Sequence, residues 1–376
     1  MDDWRLMKKL FYYIFLFFAA SMISCTSENN IQSNFKDRYS QISNKYIPDK
    51  TLGINEISLK KNSNDWVVSG KTSDDNLFYG LKEYSDSMAF NFQVALLPDS
   101  LLLDSIFGII KVSVTPIREK PKHSSQMVDQ AILGKYVRLF EKVDDWYLCQ
   151  TDYDYVGWIN KSAIHRCDSI YLKTWIKNAS FKINKLTSSI YSAQNEQSIP
   201  ISDVVLNNRI VLKQQLKSWT RVMLPDGREG FVKNEDFEQI VAQSSSITFI
   251  DNILSIANRM TGIPYLWGGN SSKGNDCSGF TQTVFDAAGY QLPRDARQQA
   301  KLGIDININD AKPGDLLFFG DGQKVTHVGI SLGKMDFIHQ GGKVDVHSLD
   351  TTSERYNDYR KQAFMFAKRI TLESGY

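Results

Sequence analysis

The sequence predicts a multidomain α+β chain: a small N-terminal α/β unit, two small antiparallel barrels, and a larger C-terminal α+β domain. Three observations carry this. A chain of 376 residues exceeds what one ordinary domain holds. Two stretches share an internal spacing: Trp146 precedes Gly157 by eleven residues, and Trp219 precedes Gly230 by eleven. Beyond residue 247 the apolar pattern reads as helices first and strands afterwards.

The composition is that of a folded globular protein, with 42% hydrophobic and 23% charged residues. Forty-four basic residues against 42 acidic give a net charge of +2, and no long basic block occurs, so nucleic acid is not expected as a partner. Four cysteines, at 25, 149, 167 and 277, are too few for a disulfide scaffold.

At the N-terminus Lys8 and Lys9 precede an apolar run from Leu10 to Ala20, about the length of a signal-peptide core and short for a bilayer span. The run leads into Met22-Ile23-Ser24-Cys25, which resembles the bacterial lipobox, with Met22 where Leu is usual. Asp2 and Asp3 do not suit the start of an export signal, and Met7-Lys8-Lys9 opens it better. Residues 1–25 are thus expected to be a lipoprotein signal with Cys25 the lipidated residue. That puts the protein in the cell envelope, attached to a membrane by its lipid. Residues 26 to about 35 are polar and read as a tether.

Within 26–110 a small mixed α/β unit is expected. Ile57–Lys60 and Trp66–Gly70 read as strands around an Asn/Asp turn, Leu77, Leu81 and Tyr84 fall at helical spacing, and Phe92, Val94 and Leu96 alternate. Nothing there suggests chemistry, and a packing or spacer role is expected. The repeat follows. Val137 and Ile210 each lie nine residues before their tryptophan, and turn residues such as Pro225-Asp226-Gly227 separate short alternating runs. These segments, 111–167 and 178–241, resemble bacterial SH3-like domains. Each glycine is expected to let the chain bend between strands, and the aromatic after it, Trp158 or Phe231, to plug the barrel. Cys149 and Cys167 both fall in the first barrel, either paired, as an exported location permits, or as buried thiols.

The last domain, 247–376, begins with an amphipathic helix, Ile247 to Met260, whose apolar face carries Ile250, Leu254 and Ala257. A second helix runs from about Cys277 to Ala288 with Phe280, Val284, Phe285 and Ala288 as its apolar stripe and Gly289 as terminator. Strands follow at Leu316–Phe319, His327–Leu332 and Phe337–Gln340. Cys277 therefore sits at a helix start, where unpaired N–H groups favour thiolate over thiol. A thiolate needs an imidazole to take its proton and later return it to a leaving amine. His327 and His339 lie on successive strands twelve residues apart, so the second can orient the first. His123, His165 and His347 are read as structural.

The ordered set Pro264-Tyr265-Leu266-Trp267-Gly268-Gly269, Asp276-Cys277-Ser278-Gly279, Pro293-Arg294-Asp295, Pro313-Gly314-Asp315-Leu316, His327-Val328-Gly329-Ile330 and His339 resembles the NlpC family of cell-wall cysteine peptidases. The resemblance implies a papain-like catalytic domain, a Cys277–His327–His339 triad, and Tyr265 with the Cys277 N–H as oxyanion support. Tandem SH3-like domains ahead of such a domain resemble the γ-D-glutamyl-L-diamino acid endopeptidase subgroup. There the first barrel narrows the cleft to peptides with a free N-terminal L-Ala. This implies substrate-lining roles for Asp276, Ser278, Arg294, Asp295 and, from the barrel, Tyr155. Ala296 stands where a small hydroxyl residue is common, and either Glu119 or Gln126 occupies the subgroup's acidic position. The implied partners are peptidoglycan-derived peptides, the enzyme acting as a monomer without metal or organic cofactor. The alternatives are a D,L-endopeptidase or N-acetylmuramoyl-L-alanine amidase acting on intact wall, or a non-catalytic wall-binding lipoprotein.

Overall fold

The computed structural model describes residues 28–63, 65–240 and 246–371. The signal segment and Cys25 lie outside the described residues. The chain divides into two units, one ending at Leu97 and the other beginning at Pro98.

In the first unit, strands Asn55–Asn62 and Asp65–Thr72 pair antiparallel, and Asn91–Leu96 joins the second of them in parallel. The parallel crossover is the helix Asp75–Ser87, capped by the Asp74 carboxylate, which accepts from Leu77 N at 2.8 Å. A further helix covers residues 28–46 and so takes in most of the stretch from 26 to about 35 that reads as a tether. Its polar residues outnumber the apolar ones, but Ile31, Phe35, Tyr39 and Ile42 recur at helical spacing, and Phe35 and Ile42 are buried. Burial of that stripe outweighs the polar composition.

The second unit holds two seven-stranded antiparallel sheets, each curled around its own core. The first takes in Phe107–Ile110, paired with Tyr136–Val143 and Ile164–Cys167, so it begins before residue 111. The two copies share a register. Trp146 lies opposite Asn160 with Cys149 opposite Gly157, and Trp219 lies opposite Lys233 with Val222 opposite Gly230. Neither glycine has a positive φ. What each supplies is space, because an added Cβ would come 2.4 Å from Ile117 Cγ2 at Gly157 and 2.6 Å from Ile190 Cγ2 at Gly230. Overpacking of that kind costs about 1–3 kcal/mol. The aromatic after each glycine points away from the barrel core. Ile159 and Val232, one residue further on, fill it, since alternate residues share a face. Cys149 and Cys167 are free and buried, and burial raises both thiols.

The C-terminal part packs helices Ser246–Arg259 and Cys277–Ala287 against a six-stranded antiparallel sheet. Its order is Ile304–Ile306, Phe364–Arg369, Leu316–Gly320, Val325–Gly333, Asp336–Gln340, Val344–Ser348. The stripe Phe280, Val284, Phe285 and Ala288 is fully buried, and Gly289 ends the helix at φ 91°. On the preceding helix the buried stripe is Phe249, Ile253, Ile256, Ala257 and Met260, so Ile250 and Leu254 sit at its edge. The second barrel braces the rear of the cysteine helix: Lys182 donates to Ala287 O, and Asn207 Nδ2 to Thr283 O at 3.0 Å. The first barrel meets the catalytic domain along the same helix, through Lys135, and at the cleft, through Gln126, Val128 and Tyr155.

Candidate active site

Cys277 opens its helix immediately after the N-cap Asp276, whose carboxylate accepts from Gly279 N at 2.8 Å. Its sulfur accepts from the backbone N–H groups of Ser278 and Val328, so the thiol lies beside the strand that carries His327. Those donors favour thiolate, as does the helix start, but burial and the neighbouring Asp276 carboxylate act more strongly and push the thiol up to about 11. The helix-start effect read from the sequence is present but outweighed by burial. Burial, together with the positive charge of Arg360, also holds His327 well below its usual range. Both shifts act against a charged thiolate–imidazolium pair at rest.

Strand alternation sends Val328 and Ile330 into the helix-side core and His327 to the other face. His327 Nε2 lies 2.8 Å from His339 Nδ1, so Nδ1 is the His327 nitrogen not engaged with His339. Gly329 sits opposite His339 in the ladder, and a Cβ there would come 3.0 Å from the His339 Cβ. The series continues further than expected. His339 Nε2 lies 2.8 Å from His347 Nδ1 on the next strand, so His347 is a member of the row and not a separate structural residue. Arg360, on the helix Asp358–Ala363, stacks over Phe319 and faces all three imidazoles.

A cleft of about 250 Å³ contains Cys277. Tyr265, Trp267, Asp276, Ser278, Asp295 and Ala296 line it from the catalytic domain, and Gln126, Val128 and Tyr155 line it from the first barrel. Gln126 therefore takes the cleft position left open between it and Glu119, which is exposed and not among the lining residues. Tyr265, pushed up to about 12 by burial and by Cys277, stays a hydroxyl donor. Tyr155 is buried and donates its hydroxyl to the Asp295 carboxylate, which also pairs with Arg297 at 3.0 Å.

Arg294 also lines the cleft, but its donors are spent on protein groups. Nε donates to Asp129 Oδ1 at 2.6 Å, Nη1 to Asp276 Oδ1 at 3.0 Å and Ser278 Oγ at 3.1 Å, and Nη2 to Asp276 Oδ2 at 2.6 Å and Gly269 O at 3.4 Å. Its part is to hold Asp276 and Ser278 at the helix start and to lock them to the barrel through Asp129. Asp129 is fully buried and accepts from Tyr153 Oη at 2.5 Å, and burial raises it to about 6 despite the guanidinium. A second buried pairing crosses the same boundary, with Lys135 of the barrel 3.1 Å from Asp286 of the cysteine helix and 3.4 Å from Asp152. The sequence reading found neither Asp129 nor Lys135.

Comparison with known proteins agrees with this arrangement. Residues 262–369 match the NlpC/P60 family, and residues 117–164 match the bacterial dipeptidyl-peptidase Sh3 domain. "Dipeptidyl-peptidase 6" of Lysinibacillus sphaericus is 28% identical over 66% of this chain and 94% of its own length. "Gamma-D-glutamyl-L-lysine dipeptidyl-peptidase" of Bacillus cereus is 28% identical over 58% of this chain and 68% of its own. "Probable endopeptidase NlpC" of Escherichia coli is 40% identical over 34% of this chain and 82% of its own. The crystal structure of an NlpC/P60 family protein from Bacillus cereus shares the fold, with a TM-score of 0.60 over 70% of this chain and 99% of its own at 22% identity. The chain belongs to the NlpC/P60 family of cysteine peptidases.

Proposed function

We propose that the protein hydrolyses the γ-D-glutamyl–L-diamino acid bond of peptidoglycan stem peptides bearing a free N-terminal L-Ala, in the turnover or recycling of wall peptides. The observation that carries this is the wall of the cleft. Tyr155 and Gln126 of the first barrel stand across from Cys277, with the Asp295 carboxylate held between barrel and catalytic domain. The relatives named as γ-D-glutamyl-L-lysine dipeptidyl-peptidases support the same bond.

In this reading Cys277 Sγ attacks the γ-carbonyl while His327 Nδ1 takes the thiol proton. Tyr265 Oη and the Cys277 N–H receive the oxyanion. Collapse expels the diamino acid amine, which leaves with the proton held on His327, and an acyl-enzyme remains. Water then attacks, giving its proton to His327, and L-Ala-D-Glu is released with the thiol restored. His339 holds the ring and tautomer of His327.

A free ammonium entering a walled cleft needs a carboxylate and acceptors to offset its desolvation, and Asp295 and Tyr155 supply them. N-acetylation removes the charge and adds bulk where the barrel stands. The expected result is that L-Ala-γ-D-Glu-L-Lys is cut and its N-acetyl form is cut about a hundredfold more slowly in kcat/KM. Equal rates on the two peptides would favour the open-cleft alternative, an endopeptidase or amidase acting on intact wall.

The location is part of the proposal and rests on the sequence, from the apolar run Leu10–Ala20 to Cys25. Lipidation of Cys25 would hold the enzyme at a bacterial membrane in the cell envelope. Wild-type protein is expected in the membrane fraction, and Cys25→Ala in soluble or uncleaved form. A cleaved Cys25→Ala protein still wholly with membranes would remove the anchor.

A further inference from the structure

Three imidazoles stand in series across three adjacent strands. His327 Nε2 meets His339 Nδ1 at 2.8 Å, and His339 Nε2 meets His347 Nδ1 at 2.8 Å. The series is built by register. Asp336–Gln340 and Val344–Ser348 form a tight hairpin in which His339 faces Asp345 and Phe337 faces His347, so His347 lies diagonally beside His339 on the same face. The turn keeps the row close: a Cβ on Gly341 would come 2.6 Å from His339 Cε1.

We infer that His347 is a positioning residue that sets the direction of the hydrogen bonds along this row and so decides whether His327 can act as a base. The argument rests on the cysteine–histidine mechanism proposed above. Each neutral imidazole has one N–H and one bare nitrogen. For His327 to accept the thiol proton at Nδ1, its proton must be on Nε2, donated to His339 Nδ1. His339 then carries its own proton on Nε2 and donates it to His347 Nδ1, which must be bare. A neutral His347 with its proton on Nε2 accepts that bond and holds the whole row in the base-competent direction. A protonated His347 carries an N–H at Nδ1 and can only donate. His339 must then bare Nε2 and place its proton on Nδ1. That N–H points at His327 Nε2, and the His327 proton moves to Nδ1, the position the thiol needs empty. One proton at the outer end of the row thus cancels the base at the inner end.

The surroundings make His347 a suitable control point. It is the most exposed of the three, so protons reach it first from solvent. The charged groups that face it are Asp345 and Lys343 on its own hairpin, themselves paired at 3.0 Å, Arg360 from the helix Asp358–Ala363, and His339 from the adjacent strand. Burial, Arg360 and Lys343 hold it below its usual range while Asp345 acts the other way, so the row is neutral at pH 7 and reverses on acidification.

The test compares His347→Asn and His347→Leu. An Asn Oδ1 can occupy the place of Nδ1 and only accept there, and Leu keeps bulk without an acceptor. With the L-Ala-γ-D-Glu-L-Lys peptide at pH 7.5, His347→Leu should lower kcat about tenfold at unchanged KM, and His347→Asn should recover most of that loss. The acid limb of the His347→Asn profile should move about one unit to lower pH, because the substituted end no longer titrates. In 15N spectra of the wild type, His339 should carry its proton on Nε2 above the acid transition and on Nδ1 below it. Equal kcat for both variants, whether both high or both low, or an acid limb unmoved in His347→Asn, would overturn the inference. Loss of activity in His327→Ala alongside such a result would leave the underlying mechanism standing, while full activity in Cys277→Ala would remove both.

Discussion

Cys277→Ala is expected to lose at least about ten-thousandfold in kcat on L-Ala-γ-D-Glu-L-Lys with little change in KM. The sulfur contributes nothing to ground-state binding that a methyl group forfeits, but without it no acyl-enzyme forms. Water attacking directly would have to be positioned by a site whose base faces a thiol. His327→Ala should cost about a thousandfold or more, because the thiol, pushed up to about 11 by burial and Asp276, loses the proposed acceptor of its proton. His339→Ala should cost less than either, since it orients and does not transfer the proton. An alkylating agent should inactivate the enzyme and a chelator should not. Thermal unfolding should show Cys277→Ala as stable as wild type, which separates a lost nucleophile from a lost fold. Turnover by Cys277→Ala within a hundredfold of wild type would disprove the mechanism.

Asp129→Ala is expected to destabilise the protein by about 3 kcal/mol, as removing one member of a buried ion pair does. Arg294 is 2% exposed, and its Nε loses its acceptor when Asp129 goes. Asp276 still neutralises the guanidinium, which places the effect at the lower end of the range for such pairs. Arg294→Met should cost more, because it strands two buried carboxylates. The double variant should fall well short of the sum of the two, with a coupling of about 1–3 kcal/mol. Urea unfolding of the four proteins measures all three quantities, and strict additivity would show that the Asp129–Arg294 contact is incidental.

What could be read in the sequence was what local spacing encodes. Cys277 stands at a helix start within a few characteristic residues, and His327 and His339 alternate on strands whose apolar partners are plain. The barrel repeat was visible in Trp146–Gly157 and Trp219–Gly230, although the glycines turn out to serve close packing against Ile117 and Ile190 and not bending. What escaped depends on contacts distant in the chain. Asp129 is one acidic residue among many until Arg294, 165 positions later, is brought against it. His347 needed the hairpin register, for which Gly341-Gly342 was the available signal. The helix over 28–46 was hidden because its buried stripe is narrow and its polar residues dominate the average. The raised Cys277 thiol was missed because burial cannot be read from a capping pattern.

The Asp129–Arg294 lock bears on how far the parts of this chain can be exchanged. Recombination commonly treats small barrels as interchangeable modules, joined to a catalytic core by linkers. Here the start of the cysteine helix is held in place by a guanidinium that takes one countercharge from Asp276 beside it and the other from Asp129 of a different domain, and Lys135 with Asp286 repeats the cross-domain pairing further along the same helix. A catalytic core grafted onto a foreign barrel would leave Arg294 with one of its two buried carboxylates and Asp286 without Lys135 at the same seam. The first barrel and the peptidase domain should therefore exchange as a unit with less disturbance than either part alone. The second barrel is tied in as well, through Lys182 and Asn207 on the carbonyls of the same helix, Leu206 in the catalytic core and the Asp203–Lys273 pair.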